Sequence, residues 1–216
     1  MEDENRASPS GVGLLGAGAQ AREIASWLPA GTECFYAVGA AFRPDAGLPW
    51  VDLDRPAPHE QDTPVVAAVG PPAVRRALVD AWPGTSFAQV VAGTAYVDQT
   101  CVLDEGVVVA PHAVLSVGVR IGAHTHVNIG ATLSHDVHCG SFVTVSPGAR
   151  VAGRVSIGDG AFLGLGSCVV NGATLAPGVV VGAGAVVLHD VEEPNAVVAG
   201  NPARLLRVNE GWLDAL

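Results

Sequence analysis

Lysine is missing altogether. All eleven basic residues of the 216-residue chain are arginine, which rules out Schiff-base and other lysine-centred chemistry. Against them stand 21 acids and a formal charge of -10, so no nucleic-acid partner is expected, because a phosphate backbone calls for clustered cations. The four cysteines, Cys34, Cys101, Cys139 and Cys168, lack metal-site spacing. No metal is expected, and free thiols in a reducing cytoplasm fit them better than disulfides. Charge is absent again from Gly160 to Leu188, a run long enough to imitate a membrane span. Its many glycines, with Asn171 and Pro177, argue against a span, so no membrane contact is expected. No signal peptide is visible either: residues 1–10 are polar with three acids and read as a flexible tail.

What the chain has is a period of six. From Val97 to Val187 every sixth residue is Val, Leu, Ile or Cys, including Leu115, Val127, Leu133, Cys139, Val145 and Val151. Four positions after each stands a residue no larger than Val and never charged, such as Ala113, Ala131, Val143, Ala149 and Ala161. A short fixed period is the mark of a repeat architecture, and hexapeptides mark a β-helix. Three hexapeptides close one triangular coil, so residues 18 apart stack. The large residue fills the interior and the small one fits a corner. A β-sandwich would show alternation with period two and turns every 8–12 residues, and neither is present.

Ahead of the repeat, residues 12–15 form an apolar strand, followed by Gly16-Ala17-Gly18 and a helix over 19–28 that Pro29 ends. Strand, glycine turn and helix open a nucleotide-binding βαβ unit. Further strands are predicted at 34–38, 65–69 and 87–91, with a helix over 73–82. The glycine turn reads Gly16-x-Gly18-x-x-Ala21, and no acid ends the second strand to hold a ribose, which speaks against NAD. An anion site at the helix N-terminus stays open. The domains expected are a tail at 1–10, a small Rossmann-like α/β domain at 11–91, the solenoid at 92–204, and a C-terminal amphipathic segment at 205–216 that contains Trp212.

Among the histidines of the solenoid are His112, His124, His126, His135 and His138. None occupies an inward position, so all should reach the surface or a subunit interface. His112 and His124 read as solvated surface residues, while His126 and His138 could face a cleft. His135 stands apart because Gly153 lies 18 residues later, one coil above it. A base beside a peptide without a side chain leaves room for a reacting carbonyl and offers a bare N–H to its oxygen. Asp136, next in sequence, could turn at a corner and hold the imidazole tautomer.

A small α/β domain, hexapeptides reading ATLSHDVHCGSFVTVSPGARVAGRVSIGDGAFLGLGS, and a closing VVAGNPAR together resemble the sialic acid O-acetyltransferase / bacillosamine N-acetyltransferase family of sugar acyltransferases. The resemblance runs from Val12 to about Arg207. It implies a left-handed parallel β-helix, a homotrimer with active sites between subunits, and acetyl-CoA as acyl donor to an amino sugar or sugar nucleotide. It implies a catalytic set of His135, Asp136 and Gly153. Coenzyme contacts map to Thr144, Gly153, Leu165 and Ala183, and the nucleotide-sugar loop to Gly16, Gly18, Ala19, Gln20 and Gly70. The chain departs from the family at Thr144, where many members have His, and at Ala19-Gln20 in place of Gly-His. A non-nucleotide acceptor remains an alternative. So do a zinc hydrase, which would need three converging histidines, and a non-catalytic sugar-nucleotide scaffold.

Overall fold

The computed structural model describes residues 11–42 and 47–210. The tail expected at 1–10 and the part of the C-terminal segment that holds Trp212 lie outside the described residues. The N-terminal elements run β1 (Gly11–Leu15), α1 (Ala19–Trp27), β2 (Glu33–Val38), β3 (Trp50–Asp52), α2 (Pro58–Gln61), β4 (Val65–Ala67) and α3 (Pro72–Ala81). The strands form one parallel sheet in the order β3-β2-β1-β4. β1 and β4 are apolar without alternation because elements cover both faces of the sheet. β3 escapes the sequence reading, since three residues after a proline are too short to show a period.

The strand predicted at 87–91 divides between the two domains. Phe87 makes a single bridge to Val65 of the α/β sheet. Val90–Val91 instead pairs with Val108–Val109 and forms the first rung of the solenoid. Val91 stands six residues before Val97, so the repeat begins one hexapeptide earlier than the run that reveals it.

The repeat winds into a left-handed β-helix of three parallel sheets. Residues 18 apart are directly paired, as in Val127 with Val145, Leu133 with Val151 and Cys139 with Ile157. Both the large and the small series of residues form one core, closed to water from Val107 to Val187 and only partly buried in the first coil at Val97, Cys101 and Leu103. Each fully buried Val or Leu side chain contributes about 1.5–3 kcal/mol, and each touches equivalents one coil above and below, so stability accumulates by stacking.

At the upper end Val180–Val181 pairs with Val197 and Val198, a spacing one short of the coil's, as the break at Glu193-Pro194-Asn195 requires. The chain then turns back, and Ala196–Gly200 pairs antiparallel with Ala203–Val208. Residues 205–208, expected in a separate amphipathic segment, therefore belong to the hairpin that closes the prism.

The N-terminal domain lies on one face of the prism, the sheet that carries His126–Val127, Thr144–Val145 and Phe162–Leu163. Val90 and Val108, which point outward from that face, join a buried cluster with Val12, Leu14, Ile24 and Tyr36. The other two faces carry Thr132–Leu133 and His138–Cys139 respectively. His135 sits at the corner between those two, opposite the covered face.

Candidate active site

The corner at His135 is built by two unusual residues. Asp136 has a φ of 58°, in the left-handed region that costs a residue with a β-carbon about 1–2 kcal/mol. That backbone turns its carboxylate toward its neighbour rather than away from it, as a straight strand would. The His135 Nδ1 and the Asp136 Oδ2 are 2.9 Å apart, which aligns the ring and leaves Nε2 free. The ring rests on Gly153: a β-carbon placed on that glycine would stand 2.5 Å from the imidazole Cε1. The vertical pairing anticipated from a separation of 18 residues is thus present as direct contact.

The Gly153 peptide is held from above. Its carbonyl accepts from the Gly172 N–H at 2.9 Å. With its carboxamide nitrogen turned toward that carbonyl, Asn171 donates to it at 2.8 Å and accepts from Arg154 Nη2 at 2.8 Å. Both side chains of the dyad are about half exposed, and a substrate can reach them. Among the described residues of one chain, no group of three or more His, Cys, Asp or Glu is gathered as a metal site would need.

A second feature lies at a different corner. A cleft of about 580 Å³ opens between the N-terminal domain and the covered face, lined by Ala19, Gln20, Gly70, Thr144, Leu165 and Ala183 among others. Five of the residues named for sugar and coenzyme contacts therefore share one cleft with Ala183, whereas Gly16 and Gly18 do not line it. Gly16 makes the turn out of β1 at a φ of 111°, which favours glycine. Gly18 is the N-cap of α1, whose first turn carries no acid. Thr144 is buried, and its hydroxyl donates to the Gly70 carbonyl at 2.8 Å and accepts from Arg75 at 3.0 Å. Its polar group is therefore spent inside the domain junction.

Two histidines expected at the surface are buried, because the face they point to is covered. His126 is 0% exposed and His124 is 4% exposed. His124, expected to be solvated, is packed between Phe87, edge-on at 4.7 Å, and Phe142, stacked at 4.9 Å. Burial, reinforced by the Arg75 charge, pulls its pKa down to about 4. The same two causes hold the His126 pKa well below its usual value. The Gln20 amide donates to His126 Nδ1 at 3.0 Å, which leaves the ring's proton on Nε2. Both rings serve the domain junction.

Arg75 went unnoticed in the sequence, and it is the centre of that junction. Fully buried, it donates to the carbonyls of Val69 and Gly70 in its own domain, and to those of Phe142 and Val143 in the solenoid. Desolvation lowers its pKa to about 9, which leaves it charged at neutral pH. Its helix buries Pro72 and packs Leu78 and Val79 on the core, and Arg75 lies one turn from both ends of that stripe. Cys139 faces the core, and burial pushes its thiol up to about 12, out of range for a nucleophile.

No protein-family model matches the chain, and no curated protein does. Solved structures do. The acetyltransferase domain of PglB from Neisseria gonorrhoeae FA1090, in complex with acetyl coenzyme A, is 28% identical, covers 92% of this chain and 100% of that one, and has a TM-score of 0.83. A histidine variant of perosamine N-acetyltransferase from Caulobacter crescentus, in complex with CoA and GDP-perosamine, is 30% identical over 92% of this chain and 99% of that one, with a TM-score of 0.82. WeeI from Acinetobacter baumannii AYE is 26% identical over 91% and 99% of the two chains, with a TM-score of 0.78. Among the described residues no helix is long and apolar enough to cross a membrane.

Proposed function

The chain belongs to the hexapeptide-repeat sugar acyltransferases, the family of sialic acid O-acetyltransferases and bacillosamine N-acetyltransferases, and from that premise we propose that it moves an acetyl group from acetyl-CoA to an amine or hydroxyl of an amino sugar linked to a nucleotide. The observation that carries this reading is the imidazole of His135, held by Asp136 at 2.9 Å and resting on the bare Gly153 peptide. His135 Nε2 removes the proton from the acceptor as it attacks. Asp136 fixes the ring and balances the imidazolium that results. The Gly153 N–H, which gives no hydrogen bond to another described residue, is available to the negative charge that grows on the acyl oxygen. Acetyl-CoA supplies the activated thioester: as the tetrahedral adduct collapses its C–S bond breaks, and the imidazolium of His135 returns the proton to the departing CoA thiolate. Transfer is direct, since the buried Cys139 thiol cannot form an acyl intermediate.

The donor cleft and the base stand at different corners of one prism, so a single chain cannot complete the site. A homotrimer, with the His135 corner of one copy facing the cleft of the next, resolves this. Leu165 and Ala183, both exposed in the cleft, are the coenzyme contacts in this arrangement, and Thr144 contributes packing only. The turn from Gly16 to Gln20, of which Ala19 and Gln20 line the cleft, receives the nucleotide end of the acceptor. Acetyl-CoA as donor and four free cysteines suit the cytoplasm. A non-nucleotide acceptor is the second reading. It is favoured by the Gly70 carbonyl and the Gln20 amide, both already engaged within the junction.

The test is turnover of acetyl-CoA with amino-sugar nucleotides, GDP-perosamine among them, by the wild type and by His135→Ala. A positioned base contributes about 10²–10⁴-fold, so kcat should fall at least about a hundredfold while Tm and sedimentation stay unchanged. Turnover close to wild type would refute the assignment.

A further inference from the structure

The geometry points to Arg154 as the residue that grips the phosphate of the acceptor, next to the acyl-transfer corner. This rests on the acyltransferase reading and deepens it. Arg154 follows Gly153 and stacks one coil above Asp136, in a column of corner residues that reads Gly118, Asp136, Arg154, Gly172. All four have positive φ, and Arg154 stands at 57°. Gly fits there without strain, whereas a side chain costs about 1–2 kcal/mol. Asp136 accepts that cost to hold His135. The same left-handed turn recurs in the six-residue phase of the coil, at His112, His124 and Phe142 as well, so Arg154 is set apart by what its side chain holds and not by its backbone.

Its guanidinium is held but not neutralised. Nη2 donates to Asn171 Oδ1 at 2.8 Å, and the same carboxamide donates to the Gly153 carbonyl at 2.8 Å. The cation is therefore tied, through one side chain, to the peptide on which the base rests. Among the described residues the ion pairs are Arg76 with Asp80 and His135 with Asp136. Arg154 pairs with neither Asp136 below it nor any other carboxylate among the described residues. A guanidinium has five N–H donors, and one bond to Asn171 leaves a fork for two oxygens of an anion. Above it the way is clear: a β-carbon built on Gly172 would meet nothing within 4 Å.

Both substrates carry a diphosphate, but only one can bring it here. In coenzyme A the whole pantetheine arm separates the diphosphate from the reacting thioester. In a nucleotide-linked sugar only the hexose ring separates the anomeric phosphate from an amine on its far side. A cation one side chain away from the base is placed for the second. In a chain without lysine and with a charge of -10, such a cation offsets the local repulsion of a dianionic acceptor.

The test is equilibrium binding of GDP-perosamine and, separately, of coenzyme A to the wild type, Arg154→Gly and Arg154→Lys. Arg154→Gly removes the cation while relaxing the backbone, so Tm should hold or rise and a loss of binding is not misfolding. Affinity for GDP-perosamine should fall at least about tenfold in Arg154→Gly and less in Arg154→Lys, with coenzyme A affinity unchanged. A loss confined to coenzyme A would assign the grip to the donor and overturn the acceptor's claim. No loss for either, or no binding of either by the wild type, would overturn the inference. His135→Ala should leave GDP-perosamine binding intact, so failure here and failure of the assigned base are separable.

Discussion

Gly153→Ala tests the site without removing any reactive group. The backbone at Gly153 is outside the left-handed region, so alanine is allowed there, and the peptide N–H is kept. The new methyl would stand 2.5 Å from His135 Cε1, 2.9 Å from Cδ2 and closer still to Nε2. Ordinary contact begins near 3.4 Å, so the ring must retreat by about 0.9 Å. The side chain of His135 is 49% exposed, so the ring can swing outward cheaply and stability should change by less than about 1 kcal/mol. Catalysis should not be so tolerant. A misplacement of about 1 Å can cost about 10²-fold, and the swing also lengthens the 2.9 Å contact with Asp136. Steady-state kinetics should therefore show kcat down by about a hundredfold and the KM for acetyl-CoA close to wild type. The double variant with His135→Ala should be no worse than His135→Ala alone, because both changes act through one imidazole. A Gly153→Ala enzyme with kcat within threefold of wild type would refute the claim that the ring's seat on this peptide sets the rate.

Arg75→Met should lower stability by about 3 kcal/mol, because the buried acceptors at Val69, Gly70, Phe142 and Val143 lose a shared donor and a buried polar group left unpaired costs about 1–3 kcal/mol. Calorimetry would show this as a Tm lower by about 10 °C, and an unchanged Tm would show that the junction is held by apolar contact alone. The depressed pKa values of His124, about 4, and of His126 set a pH dependence. Below about pH 6.5 the unfolded chain takes up protons at both rings and the folded chain does not, so stability should fall as the pH drops, by up to about 1.4 kcal/mol per pH unit for His124 down to about pH 4, with His126 acting in the same direction. Thermal unfolding midpoints that stay flat from pH 6.5 to 5 would contradict the burial of these rings. Cys139→Ala should keep at least half of wild-type kcat, since the thiol is raised to about 12 inside the core, and abolished turnover would instead indicate an acyl-thiol step.

The solenoid was legible because its physics is local. A period of six fixes which side chains point inward, and the interior accepts only uncharged and mostly aliphatic residues, so each position reports its own direction. The pairing of His135 with Gly153 followed from the same arithmetic, and its contact in the structure needs nothing beyond a separation of 18 residues. Asp136 was harder to read. Its turn toward His135 depends on a left-handed φ of 58° that no residue type other than Gly, Asn or Asp commonly signals. The three-residue β3 and the split of 87–91 between two sheets were not legible, because short strands take their partners from the surrounding fold.

Direction relative to the prism is not the same as exposure, and that difference explains the misplaced histidines. His124 and His126 do point outward, as their positions in the hexapeptide require, yet they are buried because a second domain covers them. The signal existed one level up, in the composition of each face. Outward residues of the covered face are Val90, Val108, His126, Thr144, Phe162 and Val180, with no charge among them. The face that carries His138 shows Val102, Arg120, His138, Ser156 and Thr174, a mixture suited to water. An uncharged outward column on a charged protein must meet something, and here it meets the α/β domain. The third face offers Tyr96, Val114, Thr132, Arg150, Cys168 and Val186, with one charge in six. That face lies between the His135 corner and the corner that opens into the cleft, so the proposed homotrimer would bring it against another copy of the chain.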